Sequence, residues 1–91
     1  MLANDGDSTV AYISVPTYVV PPPSVTSLFG NRLRELRVER GRTQLQFAID
    51  SDLDRVTICD LENGHSNVRL VTLDKLAKAL GISLSDLLNG L

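Results

Sequence analysis

Between Arg55 and Asp60 the chain sets out side chains suited to recognition rather than bond-breaking: a guanidinium at Arg55, branched methyls at Val56, a thiol at Cys59 and a carboxylate at Asp60. A planar guanidinium can donate two parallel hydrogen bonds to O6 and N7 of guanine. Valine methyls can meet the methyl of thymine, and a carboxylate can accept from N4 of cytosine. Asp60 also carries the opposite tendency, since its charge repels phosphate. Polar and cationic groups surround this run: Thr43 and Gln44 before it, Thr57 within it, and His65, Ser66, Asn67 and Arg69 after it. They suit phosphate oxygens, Arg69 above all, because charge supplies most of the affinity for a polyanion. Each has a plainer reading as well, Arg55 as a solvated surface arginine or as a partner of residues within its own helix, and the loop Asn and His as turn formers.

The same inventory speaks against catalysis and against a metal or cofactor. One histidine, one cysteine, no phosphate-binding glycine loop and no His/Asp/Glu cluster leave no catalytic centre or metal site to build. With Asp60 next to it, Cys59 lacks the electropositive setting of a reactive thiol and reads as a passive small residue.

Two short helices must position these groups. Thr43 is a good N-cap, and Gln46, three residues on, completes a capping box. Phe47 and Ala48 face inward. Ser51-Asp52 breaks the pattern, Leu53 is apolar within the break, and Asp54 caps a second helix whose inward residues are Ile58 and Leu61. Asn63-Gly64 stops it. Arg55, Val56, Cys59 and Asp60 are thereby left to face outward. Two helices joined by a turn of about four residues with a buried apolar side chain describe a helix-turn-helix, whose second helix enters the major groove of DNA. Gln44 stands at the start of the first of these helices, where unpaired amides and the helix dipole favour an anion.

The remaining elements frame that pair. A helix is expected from after Thr26 or Ser27 to about Arg40, with Phe29, Leu33 and Leu36 inward and Gly41 as its stop. Another spans about Val71 to Leu80, with Leu73, Leu76, Ala77 and Leu80 inward. Ser83 opens a fifth that carries Leu84, Leu87 and Leu88. The 91 residues allow one small, all-α core. So small a core gains from burial against a second copy, and Leu84, Leu87, Leu88 and Leu91 are the expected dimer interface.

Residues 1–27 differ in kind, and the expected division is an N-terminal arm over 1–27 and a DNA-binding domain over 28–91. Thr9 to Val20 is rich in β-branched and aromatic residues, interrupted by Pro16, and Pro21-Pro22-Pro23 bars a helix across the boundary. The formal net charge is -2. Distribution outweighs the total: Arg32, Arg34, Arg37, Arg40 and Arg42 stand against Glu35 and Glu39 in one strip, whereas Asp5 and Asp7 lie in the arm. That strip is the expected electrostatic footprint for DNA, with modest non-specific affinity. No apolar run is long enough to cross a bilayer, the N-terminus carries no basic leader, and a single cysteine suits a reducing cytosol, so a cytoplasmic location is expected.

Four motifs in order, FGNRLRELRVERG, TQLQFA, LDRVTICDLENG and VTLDKLAKALGISLSDLL, resemble the Cro/C1-type (Xre-like) helix-turn-helix family of phage repressors, restriction–modification controller proteins and antitoxins. The likeness runs from about Leu28 to the end and is nearest to phage repressors and controller proteins. It implies a five-helix, lambda-repressor-like domain, base contacts from Arg55, Val56, Cys59 and Asp60, and a Gln44 that bonds the DNA backbone. It also implies that Glu62 forms a structural ion pair with Arg37. Two departures stand out. The turn carries Asp52 where the family has glycine, and the outward side of the first helix of the pair carries the apolar Leu45 and Ile49. The apolar arm around Tyr12, Ile13, Val15 and Tyr18 is expected to cover them, in cis or from a partner chain.

The resulting expectation is a sequence-specific DNA-binding transcriptional regulator, expected to act as a repressor, that binds a two-fold-symmetric operator of double-stranded DNA as a homodimer through helix 54–62. The alternative is an antitoxin-type protein whose arm binds a partner protein, with autoregulatory DNA binding. A third reading, a protein adaptor, predicts no salt-dependent DNA binding.

Overall fold

The computed structural model describes residues 22–91, which form five helices in the order α1 (Val25–Glu39), α2 (Gln44–Ser51), α3 (Arg55–Glu62), α4 (Leu70–Leu80) and α5 (Leu84–Leu87). No strand occurs among the described residues. None of the helices there is long and apolar enough to cross a membrane.

Helix starts follow the capping chemistry. The Thr43 hydroxyl accepts from the Gln46 amide, and the Gln46 side chain accepts from the Thr43 amide, so the capping box of α2 is complete. Asp54 caps α3 and Ser83 caps α5. At α1 the structure departs from the sequence reading: Ser24, in extended conformation, accepts from the Ser27 amide, and the helix begins at Val25. Pro22 and Pro23 hold the chain extended until Ser24, the first residue able both to follow proline and to cap. Residues 25–27, assigned to the arm, therefore belong to α1.

Asp52 lies in the left-handed region at φ 56, ψ 44 and terminates α2. Aspartate tolerates this conformation better than most side chains, at some cost relative to glycine. Its reward is direction. The Leu53 amide returns to the Ala48 carbonyl at 2.9 Å, and Leu53 packs half-buried against the core.

The core gathers Phe29, Leu33 and Leu36 of α1, Phe47 and Ala48 of α2, Ile58 and Leu61 of α3, Leu76, Ala77 and Leu80 of α4, and Leu87 of α5. Leu87 is fully buried, which corrects its place in the expected dimer interface: it seals the bottom of the protomer's own core. Leu84 is half-buried against that core, whereas Leu88 and Leu91 remain exposed. Leu45 and Ile49 are exposed on α2, at 57% and 71%. The arm expected to cover them, with Tyr12, Ile13, Val15 and Tyr18, lies outside the described residues, as does the part of the chain on which the antitoxin reading rests.

Candidate nucleic-acid interface

With Ile58 and Leu61 buried, α3 turns Arg55 and Val56 to solvent, while Thr57, Cys59 and Asp60 are half-buried along its flanks. Thr43 is exposed and Gln44 half-buried at the first turn of α2, beside the same face. His65, Ser66, Asn67 and Arg69 are exposed in the α3–α4 connection. The His65 amide bonds the Asp60 carbonyl at 3.0 Å, so His65 also closes the C-terminal end of α3. Together with Gly64, the loop residues His65, Ser66 and Asn67 form a small polar pocket against Thr26 of α1. The loop thus brings its polar side chains to the start of α1 rather than along α3.

One hydrogen-bonded chain runs from the surface into the core. Arg55 Nη1 donates to Gln44 Oε1 at 3.3 Å, and Gln44 Nε2 donates to Glu62 Oε1 at 3.2 Å. The Glu62 carboxylate, with no exposed side-chain surface, also receives a fork from Arg37: Nε to Oε2 at 2.6 Å and Nη2 to Oε1 at 3.0 Å. Arg37 Nη1 donates to the Arg42 carbonyl at 2.8 Å. The bond to Glu62, ahead of the opposing cost of burial, makes the Arg37 guanidinium hold its proton more firmly than usual. Arg34, over half exposed, brings Nε to 3.8 Å from Glu62 Oε1. Sequence reading missed the Arg55–Gln44 link and the position of Arg34, and no local signal pointed to either, because the partners belong to different helices.

The arginine strip of residues 32–42 does not form the footprint expected of it. Arg32 donates to the Asp86 and Leu87 carbonyls at the end of α5, at 2.6 and 3.4 Å. Arg40 donates to the Leu80 carbonyl at the end of α4, at 3.0 Å. Arg42 pairs with Asp50 at 2.7 Å, and Arg37 holds Glu62. Helix C-termini carry partial negative charge and unpaired carbonyls, so α1 spends its cations stitching other helices to itself. Two of the eleven acidic residues, Asp5 and Asp7, precede the described region, which leaves nine acidic against nine basic residues within it. The described region therefore carries no net formal charge, and any long-range attraction of it to a polyanion is weak.

Asp54 fixes the start of α3. Its carboxylate accepts from the Thr57 amide at 2.8 Å, and this bond, with help from the Thr57 hydroxyl, holds it below the usual carboxylate range. A carboxylate depressed in the folded state contributes stability that is complete above the unfolded value of about 3.9 and is lost as pH falls through the lower folded value. We expect the Thr57 amide to lose exchange protection across that acidic window, and Asp54→Asn to flatten the profile while keeping the cap. An NMR titration of Asp54 with a midpoint at or above the ordinary carboxylate value would contradict this.

Among the described residues no group of His, Cys, Asp and Glu is placed to hold a metal ion. The face offers hydrogen-bond donors, a few methyl groups and modest positive charge.

A family model described as Helix-turn-helix matches residues 33–87. Control protein C.MunI of Mycoplasma sp is 48% identical over 60 residues, 65% of this chain and 81% of that protein. Control protein C.BamHI of Bacillus amyloliquefaciens is 37% identical over 67 residues, 72% of this chain and 83% of that protein. The solved restriction-modification controller protein C.AhdI from Aeromonas hydrophila has the same fold, with a TM-score of 0.67 at 45% identity, covering 68% of this chain and 94% of that one.

Proposed function

The chain belongs to the Helix-turn-helix family, in the Cro/C1-type group that its motifs resemble, and on that premise we propose that it is a sequence-specific DNA-binding transcriptional regulator of the controller or repressor kind, acting in the cytoplasm as a two-fold dimer. The observation that carries this reading is the outward presentation of Arg55 and Val56 on α3, with the guanidinium held by Gln44 instead of free to wander. A tethered fork loses less freedom when it meets O6 and N7 of guanine. Val56 supplies the contact for a thymine methyl, with Cys59 and Asp60 at the margin. Thr43, Gln44, Thr57, His65, Asn67 and Arg69 are proposed to take phosphates, which position the protein without reading sequence.

Leu88 and Leu91, exposed at 37% and 44%, support a dimer face at the C-terminal end. A two-fold pair would set its recognition helices about one helical turn apart, about 34 Å. Its relatives are named as control proteins and as a transcriptional regulator.

Selection of bound sequences from a random DNA pool tests the reading, with wild type and Arg55→Ala side by side. The expected result is a two-fold-symmetric motif in which the variant loses preference for one G·C pair per half-site, about 10- to 100-fold for a bidentate contact. No enrichment by the wild type at low salt would reject it.

A further inference from the structure

Where the chain enters α1, a groove of about 400 Å³ opens between α1, the α3–α4 connection and the C-terminal residues. Its walls are Val25, Phe29, Val68, Leu73, Leu88 and Leu91, and its rim is polar, with Thr26, Ser66 and Asn67. Among the described residues no charged side chain lines it. Val25 is 65% exposed although it stands in the first turn of the longest helix. We infer that this groove is the seat of the chain's own N-terminal arm, residues 12–20, bound in cis.

Three features select that occupant. The first is position: Pro22, Pro23 and Ser24 lead directly into Val25, which is part of the groove wall. A run of three prolines at 21–23 favours an extended connection of about 9 Å between the groove and the apolar segment that precedes it. The second is composition. From Ser8 to Ser24 the chain carries no charge, and eight of the eleven residues from Val10 to Val20 are apolar, matching an uncharged groove. Two other exposed apolar sites lie in charged company: Ile49 is followed by Asp50, and Val38 stands among Arg34, Glu35 and Glu39. The third is tethering. A segment joined by so short a connection meets the groove at an effective concentration of about millimolar, which a free second copy does not reach in a cell. An uncovered strand-forming segment of this composition would also invite aggregation.

The consequence is competition. Leu88 and Leu91 serve the groove and the proposed dimer face alike, so a seated arm keeps the protomer monomeric until concentration or a two-fold operator drives pairing. This second step rests on the dimeric reading given above; the seating of the arm does not.

The chain contains no tryptophan, and its two tyrosines, Tyr12 and Tyr18, both lie in the arm, so tyrosine fluorescence reports on the arm alone. Acrylamide quenching of the full-length protein, without DNA, should be severalfold weaker than that of a free tyrosine amide, and this protection should persist on dilution. Leu88→Asp and Val25→Asp should each restore free-tyrosine quenching with the helical circular dichroism unaltered, while Ile49→Asp should leave the protection intact. Free-tyrosine quenching in the wild type would overturn the proposal. So would protection that vanishes on dilution, which marks a second copy as the occupant, or protection removed by Ile49→Asp and not by Leu88→Asp, which places the arm on α2. None of these results bears on DNA selection through Arg55, so the two readings fail separately.

Discussion

Replacing Arg37 by alanine should remove about 3 to 5 kcal/mol of stability, the usual cost of leaving a buried carboxylate without its partner. Glu62 has no exposed side-chain surface, and Arg37 supplies two of its short bonds, at 2.6 and 3.0 Å. Gln44 and the more distant Arg34 remain in the variant, but neither can replace a bidentate guanidinium. For a domain of this size the loss corresponds to a fall of at least about 12 °C in the melting midpoint, read by circular dichroism. Arg37→Met combined with Glu62→Leu should recover much of it, because no uncompensated charge is then left inside. If the double variant were as unstable as the sum of the two single ones, the pair would have no coupling and this account would fail. Sequence preference, measured at a temperature where the Arg37 variant is still folded, should move far less than stability does.

Gly30→Ala should be nearly as damaging, about 3 kcal/mol or more, although alanine is the better helix former by about 1 kcal/mol. A Cβ at residue 30 would lie 2.5 Å from the Leu61 carbonyl oxygen and 2.6 Å from that of Glu62. Those are backbone atoms of the last turn of α3, and they cannot swing aside as a flexible side chain would. Relief requires α1 and α3 to move apart, which would loosen the packing of Phe29 and Leu33 on Ile58 and Leu61 and strain the Arg37–Glu62 fork. Gly41→Ala is the matched control. It stands at φ +65 with nothing within 4 Å of an added Cβ, so it should lose only the conformational cost of about 1 kcal/mol. Urea unfolding of the two variants separates the cases, and equal midpoints would show that the α1–α3 approach can relax.

The two positions mark where local reading of the chain succeeds and where it ends. Caps, stops and inward stripes were legible because each depends on residues within about four of one another: Thr43 with Gln46, Asp54 before α3, Ser83 before α5, Asn63-Gly64 after α3. So was the outward turn of Arg55 and Val56, which follows once Ile58 and Leu61 are known to be inside. The Arg37–Glu62 pair came from likeness to a family, since nothing local joins residues 25 apart. Tertiary structure alone decided how the other charges are spent. An arginine strip on α1 has the same composition whether it faces phosphate or helix ends, and only the packing angles bring Arg32 to the end of α5 and Arg40 to the end of α4. The same holds for Leu87 and Leu88, adjacent leucines with equal claims on a partner surface. A helix of four residues shows too little periodicity to orient them, and the contact of α5 with the rest of the bundle seats the first in the core and leaves the second at the surface.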